Sequence, residues 1–185
     1  MRIACLGWGS LIWDPRSLPV VSDWSHDGPS LPVEFTRQSS DGRITLVITP
    51  SAKAVKVLSA VLEMPSIETA CAALAEREGI PGKFVDRSVG YWIAESRSHH
   101  PEADIVARWA EQAGYEGAVW TALKPKFDNA YVAPPCERVV SYLDSLAGEA
   151  RDRAENYVRR TPAVIRTEYR MAIEKALAWT PAPDA

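Results

Sequence analysis

The chain has 185 residues, of which 46% are apolar, and its formal charge at pH 7 is -3. That length and that apolar content are sufficient for one compact domain with a substantial core. A protein surface that binds nucleic acid needs a clustered excess of Lys and Arg, which a net negative chain lacks, so a nucleic-acid partner is not expected.

The apolar segments and the cysteines bear on the cellular location. No apolar stretch approaches the roughly 20 residues that span a bilayer, and the first residues lack a small-residue cleavage site. The three cysteines are odd in number and widely spaced, and Cys5 and Cys71 stand among apolar neighbours, which is typical of reduced thiols in a core. The sequence therefore predicts a cytoplasmic protein that does not associate with membranes.

Strand patterns dominate the first two thirds of the chain. A short apolar run at 2–6 ends in Gly-x-Gly, as a buried strand that enters a tight loop does. Asp41-Gly42 between two apolar runs is a strong hairpin signal. The other predicted strands are rich in Val, Ile, Leu and Thr or in aromatic residues, which gives about six strands in all, at 2–6, 32–38, 43–49, 55–63, 84–94 and 117–124.

Helical patterns lie between these strands and after them. Pro65-Ser66 opens an Ala-rich helix that continues to about Glu78, where Gly79 and Pro81 stop it. A second helix is predicted at 102–113. From Pro135 onward the chain is predicted to be helical, and Thr161-Pro162 should open the last helix. Strands followed by helices indicate an α+β fold on a largely antiparallel or mixed sheet. We expect a single domain over 1–185, in which 1–134 form a β-rich catalytic core and 135–185 a helical extension packed on it.

The loop Gly7-Trp8-Gly9-Ser10 follows the first predicted strand directly. It is not a dinucleotide site, because Ile12 replaces the third glycine of G-x-G-x-x-G. It is not a nucleophile elbow either, because Trp8 and Ile12 occupy the glycine positions around Ser10. Two interpretations remain open from pattern alone: a row of backbone N–H groups that holds a carboxylate or carbonyl oxygen, or an ordinary tight turn.

Glu78 is the candidate catalytic residue. Its spacing from Ile67, Cys71 and Leu74 places it on the apolar face of the predicted helix, whereas Glu76 points to nearly the opposite side. Burial and the negative end of the helix dipole would both favour a protonated carboxyl, and such a group can act as an acid or a base near neutral pH. The alternative is that the helix ends before Glu78 and the side chain lies in water.

Other polar clusters are predicted to be structural or solvated. His100 and Asp104 have metal-pair spacing, but no further ligand stands at a suitable distance in sequence, so no metal site is predicted. Four arginines are expected to form a solvated helical face, from which one could reach a substrate carboxylate: Arg159, Arg160, Arg166 and Arg170. Trp8 and Trp13 are the tryptophans expected to line a pocket.

Two motifs carry a resemblance to a known family. The run Gly7-Trp8-Gly9-Ser10-Leu11-Ile12-Trp13 resembles the G-Y-G-S-L-I-W signature of γ-glutamylcyclotransferases of the ChaC type, with Trp8 where the family has Tyr. The segment Leu74-Ala75-Glu76-Arg77-Glu78 is similar to the family's L-x-x-R-E segment, whose last acidic residue is the catalytic glutamate. That residue corresponds to Glu78.

The resemblance implies a fold, a reaction and a set of site residues. The fold would be a small mixed β-barrel with flanking helices. A γ-glutamyl amine or peptide would bind to the loop formed by Gly7, Trp8, Gly9, Ser10 and Leu11, and Glu78 would transfer protons while the substrate cyclises to 5-oxoproline. No cofactor is implied.

Two alternatives to the enzyme remain open at this stage. The same fold could bind a small acidic ligand without turnover. The chain could also be an interaction protein whose helical extension docks a partner, which an exposed apolar patch on 135–180 would favour. In an enzyme the same extension could serve as a lid or a homodimer surface.

Overall fold

A computed structural model describes residues 1–183 of the chain. Over these residues the chain forms nine strands, namely β1 (Arg2–Gly7), β2 (Ser30–Leu31), β3 (Val33–Gln38), β4 (Ile44–Ile48), β5 (Val55–Lys56), β6 (Leu58–Glu63), β7 (Val89–Ile93), β8 (Ser96–Arg97) and β9 (Gly117–Thr121). The same residues form six α-helices, namely α1 (Ile67–Arg77), α2 (Val85–Ser88), α3 (Ala103–Gln112), α4 (Cys136–Ser145), α5 (Gly148–Arg160) and α6 (Glu168–Leu177). The protein is therefore a mixed α+β structure, as the sequence predicts.

Residue contacts divide the chain into two compact units that alternate along the sequence. The first unit comprises Met1–Gly7, Asp14–Leu31 and Lys56–Leu123. The second comprises Trp8–Trp13, Pro32–Val55 and Lys124–Ala185. A single domain with a core at 1–134 and an extension at 135–185 stays a prediction, and residues 184–185 of that extension lie outside the described part of the chain.

The first unit contains a five-stranded mixed sheet in the order β6-β1-β9-β7-β8. β1 pairs antiparallel with β6 and parallel with β9, and β9 pairs antiparallel with β7. β1 lies inside this sheet because its run from Ile3 to Leu6 is apolar and almost completely buried. The outermost strands β6 and β8 are not joined to each other, so over residues 1–183 the sheet does not close into the barrel that the resemblance implies.

Helix α1 begins and ends where local sequence signals place it. Ser66 is the N-cap and forms a reciprocal capping box with Thr69. Ile67, Cys71 and Leu74 are buried along one face of the helix, as their spacing predicts. These caps and this face explain why the predicted and observed bounds agree closely.

The second unit contains the β3–β4 hairpin and the last three helices. The two strands pair antiparallel, and Gly42 in their connection has a φ of +89°, a conformation that glycine adopts without strain. The sequence predicts this hairpin correctly. Val33 and Phe35 of β3 and Val139 and Leu143 of α4 have exposures of 0%, so they belong to the core.

The predicted strand at 84–94 is wrong in its first half. Gly82–Phe84 forms a 3₁₀ turn, Val85–Ser88 forms α2, and only Val89–Ile93 is a strand. The polar triplet Asp86-Arg87-Ser88 has low strand propensity. The guanidinium of Arg87 lies 3.7 Å from the ring centroid of Phe84, and this contact uses the i, i+3 spacing of a helical turn.

The predicted start of the last helix at Thr161-Pro162 is also wrong. Thr161 is the C-cap of α5, and its hydroxyl donates to the carbonyl of Tyr157 at 3.0 Å. The last helix begins at Glu168, with Thr167 as its N-cap. The intervening segment is not helical because its carbonyl groups accept hydrogen bonds from a buried guanidinium, that of Arg170.

The prediction that Arg170 belongs to a solvated helical face is also wrong. Its exposure is 0%, and its guanidinium donates to the carbonyl groups of Thr161, Pro162 and Ile165 and to the carboxylate of Glu174. Burial lowers the pKa of this guanidinium, and the charge of Glu174 opposes that effect.

Candidate active site

The backbone of Glu78 is fixed by the way α1 ends. Glu78 is the C-cap residue, and its N–H donates to the carbonyl of Leu74 at 3.0 Å. Gly79 follows with a φ of +66°, and the N–H of Ile80 donates a hydrogen bond to the carbonyl of Ala75 at 2.8 Å. This is the glycine-dependent helix ending known as the Schellman motif. It turns the chain away directly after Glu78.

The carboxylate of Glu78 is held by a buried arginine. Arg77 is 4% exposed, and its Nη1 lies 2.6 Å from Oε1 of Glu78, whose side chain is 19% exposed. Nε and Nη2 of the same guanidinium donate to the carbonyl of Asp14 at 3.1 and 2.6 Å. This charge-assisted arrangement restricts the carboxylate and offsets the negative end of the helix dipole. Glu76 is exposed, so the predicted difference between the two glutamates is confirmed.

Cys5 lies on β1 and is completely buried. Burial and, to a smaller extent, the negative charge of Glu78 raise the pKa of the Cys5 thiol to about 12, although the positive charge of Arg77 acts in the opposite direction. Cys5 remains a neutral thiol at neutral pH and is excluded as a nucleophile. Gly7, two residues further along, ends the strand opposite Leu58.

The loop residues that follow Gly7 are mostly buried. Trp8 is 5% exposed, and its Nε1 donates to the carbonyl of Leu46 at 3.1 Å. The N–H of Ile12 donates to the carbonyl of Gly9 at 3.0 Å, which closes a tight turn. Leu11 is 4% exposed and Ser10 is half-buried. The loop therefore contains a tight turn. That its N–H groups also hold a ligand stays a prediction.

Tyr157 contacts this loop and is a residue that the sequence analysis missed. A Cβ atom added to Gly9 would lie 2.4 Å from the Tyr157 hydroxyl, so only glycine allows this approach. The hydroxyl accepts the N–H of Leu46 at 3.3 Å, and the ring packs edge-on against Trp13 with 5.6 Å between centroids. One signal was available in the sequence. Tyr157 precedes Arg160 by three residues, a spacing that places both side chains on one helix face.

The predicted site residues are divided between the two units. Gly7 and Glu78 belong to the first unit, together with Arg77 and Asp14. Trp8, Gly9, Ser10 and Leu11 belong to the second unit, together with Tyr157. Their assignment as catalytic and substrate-binding residues stays a prediction.

His99, His100 and Asp104 lie in one polar region of the first unit. Asp104 pairs with Arg97 at 2.9 Å, in a polar cleft that His99 and His100 also line. Within residues 1–183 there is no group of three or more His, Cys, Asp or Glu side chains that could hold a metal ion. In the same residues no helix has the length and apolar content needed to cross a membrane.

The chain was also compared with known proteins. No protein-family model matches it, and no curated protein matches its sequence.

Proposed function

We propose that this protein is a cyclotransferase that acts on a γ-glutamyl amine or peptide. In the proposed reaction the substrate's α-amine nitrogen attacks its own γ-carbonyl carbon, and the amide C–N bond to the leaving amine breaks. The products are 5-oxoproline and a free amine or amino acid. The reaction is intramolecular and consumes neither water nor a cofactor.

Glu78 carries the proton transfers in this proposal. Its carboxylate takes a proton from the substrate ammonium, which frees the lone pair for attack, and gives that proton to the leaving nitrogen. The attacking nitrogen loses a second proton as the ring amide forms, and the released amine takes up that proton and leaves as an ammonium ion. Positioned acid–base groups of this kind contribute about 10²- to 10⁴-fold to a rate. The loop Gly7-Trp8-Gly9-Ser10-Leu11 supplies backbone N–H groups for the γ-glutamyl moiety and for the oxyanion that develops.

The observation that carries the proposal is the Arg77–Glu78 pair. A half-buried carboxylate that a guanidinium holds at 2.6 Å has a restricted position, as an acid–base group requires. That guanidinium is itself fixed on the backbone carbonyl of Asp14. Helical spacing and the family motif both select Glu78 independently.

The test is release of 5-oxoproline from a panel of γ-glutamyl amines and dipeptides. Wild type should release it, and Glu78→Gln should reduce the rate at least about 100-fold, because the amide cannot exchange protons. Glu76→Gln is the matched control, since Glu76 lies exposed on the same helix, and it should retain the wild-type rate. Equal rates for both variants, with circular dichroism unchanged, would refute Glu78 as the catalytic group.

A ligand-binding module without turnover is the second candidate. The observation that favours it is the side chain at position 8. Trp8 lacks the hydroxyl of the family's Tyr, and its indole N–H already donates to the carbonyl of Leu46. Under this alternative no member of the panel would release 5-oxoproline, while an acidic small molecule would still bind. Replacing Trp8 by Ala would weaken binding under both candidates, so turnover distinguishes them.

A further inference from the structure

Helix α5 presents two side chains to the loop Trp8–Trp13 from a single face. Tyr157 and Arg160 are three residues apart, which aligns them along the helix. The Tyr157 ring packs against Trp13, and Cζ of Arg160 lies over the Trp13 ring at 5.4 Å from its centroid. The end of α5 therefore brings a positive charge next to the loop.

The charge of Arg160 differs from that of its neighbours because it is not neutralised within the described residues. Three other α5 arginines have carboxylate partners there: Arg151 with Asp144, Arg153 with Glu149 and Arg159 with Glu155. Arg160 is exposed and forms no ion pair over residues 1–183. A guanidinium that rests on an aromatic face keeps its N–H edge available for a carboxylate.

Arg43, the second arginine considered as a ligand for the carboxylate, already has an acidic partner. Cζ of Arg43 lies 5.5 Å from the centroid of the Tyr157 ring, but Arg43 also forms an ion pair with Asp41 at 2.8 Å. Burial acts to raise the pKa of Asp41, but hydrogen bonds from Arg43 and Ser39 and the charge of Arg43 together outweigh burial and hold that pKa below its usual value. The Arg43 charge is thus compensated, and Arg160 is the better candidate for an anionic ligand.

We propose that Arg160, supported by Trp13 and Tyr157, binds the α-carboxylate of the γ-glutamyl group. This inference rests on the proposed function and narrows its substrate class to γ-glutamyl compounds whose α-carboxylate is free. The carboxylate and the attacking amine are attached to the same carbon. Binding the carboxylate therefore orients the amine, and this contact acts on specificity rather than on proton transfer.

The experiment compares each γ-glutamyl amine with its α-carboxamide analogue, which keeps the amine and the γ-amide but lacks the charge. In wild type kcat/KM should favour the free carboxylate. Arg160→Gln should reduce that preference roughly 10- to 100-fold, mainly through KM, with little change for the carboxamide. Arg160→Lys should restore part of it, because Lys keeps the charge but not the bidentate geometry. The control Arg153→Gln should leave the preference unchanged, since Arg153 pairs with Glu149 on the same helix.

A second experiment measures by calorimetry the binding of 5-oxoproline, which has the carboxylate, and of 5-oxoprolinamide, which lacks it. Together with the turnover assay it shows whether the carboxylate site, the cyclotransferase or both are refuted. Without any turnover, tighter binding of 5-oxoproline in wild type than in Arg160→Gln would support the carboxylate site and refute the cyclotransferase. Turnover with an unchanged carboxylate preference in Arg160→Gln would refute the carboxylate site alone. If there is no turnover and wild type binds 5-oxoproline no better than Arg160→Gln, both proposals are refuted.

Discussion

Glu34 shows how one buried carboxylate connects a strand to a helix in the second unit. It is 3% exposed, and its oxygens accept hydrogen bonds from the N–H of Phe35, the hydroxyl of Thr167 and the N–H of Tyr169. Thr167 is the N-cap of α6, so the carboxylate lies at the positive end of that helix. Burial nevertheless raises the pKa of Glu34, because the hydrogen bonds only partly compensate for the loss of solvation.

This raised pKa predicts a dependence of stability on pH. The folded state holds the Glu34 proton more tightly than the unfolded chain does. Its contribution to stability is therefore present below the unfolded value, near 4.5, and is lost as the pH rises through the folded value. Urea unfolding of wild type and Glu34→Gln between pH 4 and pH 7 should show wild type losing stability relative to the variant as the pH rises. The opposite trend would mean that the three hydrogen bonds outweigh burial.

At the scale of elements, the β7–β9 pair depends on a glycine. Gly90 lies opposite Trp120, which is completely buried, and a Cβ atom at position 90 would lie 2.1 Å from the indole ring. A glycine inside a strand marks either a bulge or a close backbone approach. The register of the two strands is regular, so the close approach is the correct interpretation.

Gly90→Ala should therefore be strongly destabilising. The added methyl group meets the large Trp120 ring in a packed core, and such overpacking costs about 1–3 kcal/mol or more of unfolding free energy. Gly82→Ala is the matched control, because no atom lies within 4 Å of its added Cβ, and it should change the free energy by less than about 0.5 kcal/mol. Denaturant unfolding measures both. Equal effects of the two substitutions would show that the strands separate to accommodate the methyl group.

At the scale of the whole molecule, the chain enters the second unit three times. The helices after Pro135 share that unit with the β3–β4 hairpin. Tyr142 donates to the carbonyl of Gly42, and Glu34 accepts from Thr167. The last helices thus supply partners for the hairpin and cover its apolar side chains.

Removal of residues 135–185 should consequently unfold the hairpin. Phe35 has an exposure of 0% and packs against the ring of Tyr157, which the truncation removes, so its apolar surface would be exposed. Hydrogen exchange measured by mass spectrometry should show rapid exchange over 33–48 in the chain that ends at Pro134. A chain that ends at Thr180 retains all six helices and should keep the wild-type protection. Full protection of the hairpin in the shorter chain would instead support the predicted β-rich core at 1–134.

The sequence by itself determined the features that depend on residues close together in the chain. The Ser66 cap, the Gly79 ending, the apolar face of α1 and the Asp41-Gly42 hairpin all follow from local preferences. Glu78 was found in the same way, from its spacing on a helix face and from a five-residue motif. Proposals about its chemistry thus depend on local signals, to which the structure adds the contact with Arg77.

Only the tertiary structure decided which distant residues meet. Glu34 accepts from Thr167 across 133 positions, and Leu46 donates to Tyr157 across 111. Such pairs leave no periodic signal, because the partner is chosen by packing and not by spacing. For the same reason the sequence placed Arg170 in solvent and the start of the last helix too early. A buried guanidinium with backbone carbonyl partners looks, in sequence, like any arginine on a charged helix.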